Sequence, residues 1–357
     1  MRKIFFNIFL LGLFTGLFAQ QIKFAPPAEK ELNGILKLEN KFKLEQKEGC
    51  IFNNSIQDFI KTGNIFLLNE SDSPLKVFNS EGKFLFNVSK ETNGEKGYSN
   101  IYRSVFPIEN TGFIIVNLDG RILFFDNNVG YQKAKRFEQY AVWGKKLVFA
   151  NGNFFLQLPM SENGKHVIRM DDSFKILDEF IDINQSYKEY FAYNLLSGGI
   201  YVNKDSILYE INQFHNQYLN AVDLKTGTIT KIDLNFGKYF KPFPEETSRP
   251  EIDSYHGTRF DRVTFMQDKY LIIDFRLGTL NKDLEYQAGT SDFYTAIFDL
   301  KNNTSFIIRD FGLSISEKFC DDKYLYVLKV PVKGKPEMDD YYIETYSILN
   351  GSLTPAN

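Results

Sequence analysis

The sequence predicts an all-β protein: a six-bladed β-propeller of four-stranded antiparallel blades, its ring closed by an N-terminal strand that completes the last blade. Three observations predict it. One strand–turn–strand unit recurs six times, each copy is followed by a second hairpin, and the copies lie roughly 50 residues apart, the spacing of a propeller blade.

The chain opens on an address. Residues 1–19 place Arg2 and Lys3 before an apolar run from Ile4 to Phe18 that ends at Ala19, the three-part pattern of a secretory signal. Asn7 and Thr15 interrupt that run, and it falls short of the roughly 18 to 20 apolar residues that span a bilayer. Cleavage is expected at Ala19–Gln20, which leaves an exported product, periplasmic or extracellular, with no membrane anchor. The expected organisation is a signal peptide over 1–19, a linker over 20–34, one propeller domain over 35–350 and a tail over 351–357.

The repeat then runs in order. Its first hairpins are 55–69, 103–117, 145–158, 198–211, 261–275 and 317–330, each a moderately apolar strand, a turn of Gly, Asn, Asp or Lys, and a strongly apolar strand. The clearest second hairpins are 74–88, 121–137, 219–234 and 295–310. Their turns, Glu81-Gly82, Thr226-Gly227 and Asn302-Asn303, hold the residues that adopt positive φ or cap a tight bend through a side chain. The pattern is weakest over 137–200. Residues 187–196 form the best short helical candidate, and His166, in the turn ENGKHVI, is expected to face solvent. After 340–349 the last unit is one strand short, and residues 35–46 alternate well enough to supply it, which removes an unpaired edge.

Composition excludes several classes. The 36 Phe and 20 Tyr raise aromatics to 16 %, so the chain has ample surface to bury and is neither disordered nor low in complexity. The net charge is −3, with no block of like charge, so no nucleic-acid partner is expected. No zinc-ligand spacing, EF-hand loop, nucleophile elbow or phosphate-binding loop occurs. No cofactor is expected, although a channel Ca²⁺ held by backbone carbonyls would leave no trace in a sequence. Cys50 and Cys320 are the only cysteines, and export permits a disulfide between them as readily as two separate buried thiols.

Residues 58–117 carry a resemblance. Gly63-Asn64, Lys76-Val77-Phe78-Asn79, Gly82-Lys83-Phe84 and the crossing from Gly94 to Gly97 follow the phrasing of the NHL-type repeat, which the stretch resembles. Such repeats build six-bladed propellers in many exported bacterial proteins. The resemblance implies the fold and rests on structural residues; propellers of this kind serve as ligand binders, interaction platforms and, occasionally, lyases or hydrolases.

Candidate site residues follow from propeller geometry, because blade crossings and second-to-third-strand turns ring the channel on one face. The longest crossing, 236–262, has about 25 residues where about 4 to 6 is typical, and a second insertion, 276–293, reaches the same face. The first of them brings His256, Tyr255, Arg259, Asp253 and Asp261, while Arg103, Tyr98 and His215 approach from other blades. Two functions remain open. The first is a binding module for a protein, peptide or glycan, monomeric, with aromatic loops as rigid contact area. The second is a lyase or hydrolase in which His256 and Tyr255 exchange a proton and Arg259 or Arg103 holds an anion.

Overall fold

The protein is seen in a computed structural model that describes residues 24–48, 50–52, 56–70, 73–88, 103–108, 111–117, 120–137, 146–158, 161–184, 198–212, 217–242, 257–277, 292–309, 315–331 and 340–349. Among these residues the secondary structure is strand, apart from two short 3-10 turns at Leu32–Gly34 and Gly237–Tyr239.

Two N-terminal strands, β1 (Ala28–Glu29) and β2 (Leu36–Lys43), precede the repeats. The first meander is β3 (Ile56–Thr62), β4 (Ile65–Glu70), β5 (Leu75–Asn79) and β6 (Phe84–Val88). Next come β7 (Arg103–Ile108), β8 (Gly112–Asn117), β9 (Arg121–Asp126) and β10 (Tyr131–Arg136). The run β11 (Lys146–Ala150), β12 (Asn153–Gln157), β13 (Lys165–Met170) and β14 (Ile176–Asp182) joins the previous meander through one parallel pairing, Ile108 with Phe149, making an eight-stranded sheet.

A four-stranded sheet follows, of β15 (Gly198–Val202), β16 (Ile207–Asn212), β17 (Tyr218–Asp223) and β18 (Ile229–Asp233). The sheet of β19 (Thr258–Met266), β20 (Tyr270–Leu277), β21 (Asp292–Asp299) and β22 (Thr304–Arg309) takes β1 as a parallel outer strand. The last sheet is β23 (Ile315–Cys320), β24 (Leu325–Lys329) and β25 (Tyr342–Ile348), with β2 paired antiparallel on its outer edge.

The first strands β3, β7, β11, β15, β19 and β23 neighbour one another in that order, and β23 returns to β3, so the sheets stand as propeller blades around a common axis. Apolar residues fill the wedges between consecutive blades. Phe236 is typical: fully buried, its ring centroid lies 5.2 Å from that of Phe260, 5.1 Å from Phe275 and 5.4 Å from Phe298, at the tilted and edge-on angles aromatic pairs favour. The wedge holding Phe59, Phe66, Tyr326, Leu328 and Ile343 joins the last blade to the first.

Turn chemistry repeats with the blades. Asn79, Asp126, Asp223 and Asp299 end the third strand of their meanders and Asp171 directly follows one, and each accepts, through its side chain, backbone N–H groups two to four residues on. Gly82, with φ of +82°, lies where β2 crosses the first blade; an added Cβ would sit 2.5 Å from the Lys43 carbonyl oxygen. The Glu45 N–H donates to the Gly82 carbonyl at 2.8 Å across the same seam.

Several expectations are changed. His166 is fully buried on β13, not exposed, and its Nδ1 lies 3.2 Å from the Leu158 carbonyl oxygen, because the turn ends at Gly164 and the strand begins at Lys165. The described part of the stretch expected as a linker, 24–34, is packed against the blades: Phe24 is 1 % exposed in the Phe236 wedge, and the Tyr239 hydroxyl donates to the Glu29 carboxylate. Both cysteines are free thiols. Cys50 is buried, donating to the Glu45 carbonyl at 3.0 Å, and Cys320 ends β23. The signal segment, the crossing around Gly94 to Gly97, the helical candidate and the C-terminal tail lie outside the described residues.

Candidate functional site

The face on which the inner strands begin holds a group of charges around the axis. Three inner strands reach it through the same device, a β-bulge. Register shifts occur between Ile56 and Asp58 on β3, between Phe260 and Arg262 on β19, and between Ile315 and Glu317 on β23. Phe260 and Val263 both lie in the wedge core, so the extra residue turns Asp261 and Arg262 together away from it.

These charges are largely paired. Arg262 Nη2 donates to Glu317 across the gap between two blades. Arg276 Nη2 reaches Asp261 at 2.8 Å, and Lys318 Nζ reaches Asp274 at 2.7 Å and Thr295 Oγ1 at 2.6 Å. Asp58 Oδ2 accepts from Asn69 Nδ2 at 2.7 Å and from the Val105 N–H at 3.1 Å, which ties the first blade to the second. Lys146, the first residue of β11, differs from the rest. Its side chain is exposed, lies within electrostatic reach of charges on β3, β19 and β23, and makes no hydrogen bond or ion pair among the described residues.

Enclosure shifts these groups unequally. Burial, reinforced by the Glu317 charge, pushes Asp58 up to about 6. Burial also raises Glu317, against the pull of Arg262. Burial acts to raise Asp274 too, but the Lys318 and Arg262 charges outweigh it and hold the carboxyl below its ordinary value. Lys146, though exposed, is lowered first by the protein that surrounds it and then by the Arg262 charge, against the opposing pull of Asp261, Glu317 and Asp58. The Cys320 thiol is pushed far up by burial and by Asp274, so it is not a reactive thiolate.

Of the residues picked out in the sequence, Asp261 falls within this group and Arg259 stands beside it, half-buried and opposite Arg276 in the β19–β20 register. Arg103 opens β7 on the same face, opposite Asn117. Tyr98, His215, Asp253, Tyr255 and His256 lie outside the described residues. Sequence reading missed Asp58, Lys146, Arg262, Asp274 and Glu317. The available signal was a charge inside each moderately apolar first strand, as in IQDFIKT and TRFDRVTFM. Among the described residues no group of three or more His, Cys, Asp or Glu is placed to hold a metal.

Radial blades around a charged axis define an all-β propeller, and comparison with solved structures agrees. A protein of Bacteroides fragilis NCTC 9343 inferred to be exported shares 15 % identity with this chain, matching 92 % of it and 99 % of its own length at a TM-score of 0.61. A member of the DUF4221 family from Bacteroides vulgatus ATCC 8482 shares 13 % identity, matching 88 % of this chain and 98 % of its own at 0.59. At such identities the likeness is one of fold. No family model matches the sequence, and no curated protein matches it.

Proposed function

We propose that this chain is an exported six-bladed propeller of NHL-like type that binds a ligand at the face where its inner strands begin, without turning it over. The observation that carries the reading is the pairing at the axis. Arg262 with Glu317, Arg276 with Asp261 and Lys318 with Asp274 form a frame of matched pairs, and Lys146, within electrostatic reach of it, makes no side-chain hydrogen bond or ion pair among the described residues. A frame of matched ion pairs orients a guest and resists changes of protonation, as a binding surface requires. The export signal read over 1–19 and the likeness to a Bacteroides protein inferred to be exported support the compartment. The aromatic crossing over 236–262 and the insertion over 276–293 supply contact area for a peptide, protein or glycan; the mature chain acts as a monomer and needs no cofactor.

The test is to probe the chain from Gln20 onward on glycan and peptide arrays, with His256→Ala alongside. Binding that survives the substitution is the expected result. A chain that captures nothing on either array overturns the reading.

One observation favours the alternative of a lyase or hydrolase. A carboxyl titrating at about 6, such as Asp58, is suited to general acid–base work near neutral pH. In that case Asp58→Asn and His256→Ala each reduce turnover by about 100-fold or more, the usual contribution of such a group.

A further inference from the structure

We propose that residues 24–30 are a positioning strap that seats the root of the 236–262 crossing and, through it, the first residues of β19, and so sets how firmly the face holds its guest; this rests on the binding reading and adds what governs the same face.

The strap and the root lie alongside each other in register. Phe24 enters the wedge beside Phe236, its N–H donates to the Asp233 carbonyl at 3.2 Å, and its own carbonyl accepts from Asn235 Nδ2 at 3.0 Å. Pro26 covers Gly237, where an added Cβ would sit 3.3 Å from the proline Cβ. Glu29 accepts from the hydroxyl of Tyr239, a buried residue that ends the 3-10 turn. The sheet of β19 to β22 holds the strap from its other side. Ser305 Oγ donates to the Ala25 carbonyl at 3.2 Å, β1 pairs with β22, and the Lys30 N–H donates to the Ile307 carbonyl at 3.0 Å.

The root in turn is pinned to β19. Thr258, the fully buried first residue of that strand, donates through Oγ1 to the Tyr239 carbonyl at 3.1 Å and accepts there from the Lys241 N–H at 2.8 Å. Its own N–H donates to the Lys241 carbonyl at 2.9 Å. Phe260 stacks on Phe240 with centroids 6.5 Å apart, and the next residues, Asp261 and Arg262, are those that pair with Arg276 and Glu317. Direct contacts therefore run from Glu29 to Tyr239 and from Tyr239 to Thr258, and one rigid strand carries them on to the charges at the axis.

The chain from Gln20 onward is compared with Glu29→Ala, Glu29→Gln, Tyr239→Phe and the double variant Glu29→Ala with Tyr239→Phe. Amide hydrogen exchange is read at Lys241 and Thr258, and capture is read on glycan and peptide arrays at graded protein concentration. Glu29→Ala is expected to speed exchange at both amides and to weaken capture, each about tenfold, the worth of one hydrogen bond to a charged group. Tyr239→Phe should do the same, and the double variant should lose no more than either, because both changes remove one bond. Glu29→Gln gives up the 3.8 Å ion pair with Lys238 but keeps an oxygen facing Tyr239, so it should match wild type. Unchanged exchange in Glu29→Ala overturns the proposal, as does a loss that Glu29→Gln shares. Faster exchange with unchanged capture also overturns it and leaves the binding reading standing. Wild type that captures nothing overturns the binding reading itself, and the strap's part in it.

Discussion

At the scale of single residues, the charges at the axis make stability depend on pH in a direction that can be worked out. Asp58 titrates at about 6 in the folded chain against an ordinary 3.8, so the folded state holds its proton more tightly than the unfolded one. The stability it contributes is complete below about pH 4 and is lost as pH rises through about 6. In Asp58→Asn the amide oxygen still accepts from Asn69 and Val105, and nothing titrates there. Thermal unfolding from pH 4 to pH 8 should therefore show wild type losing ground to the variant across this window; parallel curves would mean that Asp58 does not carry the shift.

A second residue-scale expectation concerns Lys76 and Glu70. Their side chains are 4 % and 0 % exposed and 2.5 Å apart. Lys76→Met removes a cation bonded to the buried Glu70 carboxylate, which costs about 3 to 5 kcal/mol. Chemical denaturation of the variant measures that loss.

At the scale of elements, turns and wedges were readable to different degrees. The hairpins at Glu81-Gly82, Thr226-Gly227 and Asn302-Asn303 form as read, with φ of +82° at Gly82, +74° at Gly227 and +54° at Asn303. A tight turn is decided by a few adjacent residues, so it can be read locally. His166 was misread for the opposite reason. Whether a residue just past a turn is buried depends on the next blade, which the local text does not contain.

The bulges on β3, β19 and β23 are equally non-local. They break the two-residue alternation at the charges that matter, so a strict period puts Asp261 and Arg262 on opposite faces. Phe236→Ala tests the wedge packing: emptying a site among Phe260, Phe275 and Phe298 should cost about 3 to 5 kcal/mol, with unfolding still cooperative.

At the scale of the molecule, the seam between the two chain ends bears the greatest consequence. β2 pairs with β25 from Leu36 opposite Ile348 to Lys43 opposite Tyr342, and the Glu45–Gly82 contact carries that strand onto the first blade. Removing residues up to Lys43 bares the β25 edge and the wedge behind it. The expected outcome is a chain that aggregates on heating well below the unfolding temperature of the untruncated chain, as light scattering would record. Gly82→Ala is a milder probe of the same seam. Its Cβ meets the Lys43 carbonyl and its φ is strained for alanine, so the variant should unfold at lower temperature while its core blades keep their amide protection.

The strands, their turns and the repeat are legible in the amino-acid text alone. Period-two alternation and turn residues act over a few positions, and the backbone must satisfy its hydrogen bonds locally wherever such text recurs. Only the tertiary structure decided which charges meet at the axis. Asp58, Lys146, Arg262 and Glu317 lie up to 259 positions apart and come within electrostatic reach because the blades close into a ring, Asp58, Arg262 and Glu317 each beside a bulge. Nothing near any one of them in the chain records that encounter, since the energy that fixes it comes from wedges packed between blades.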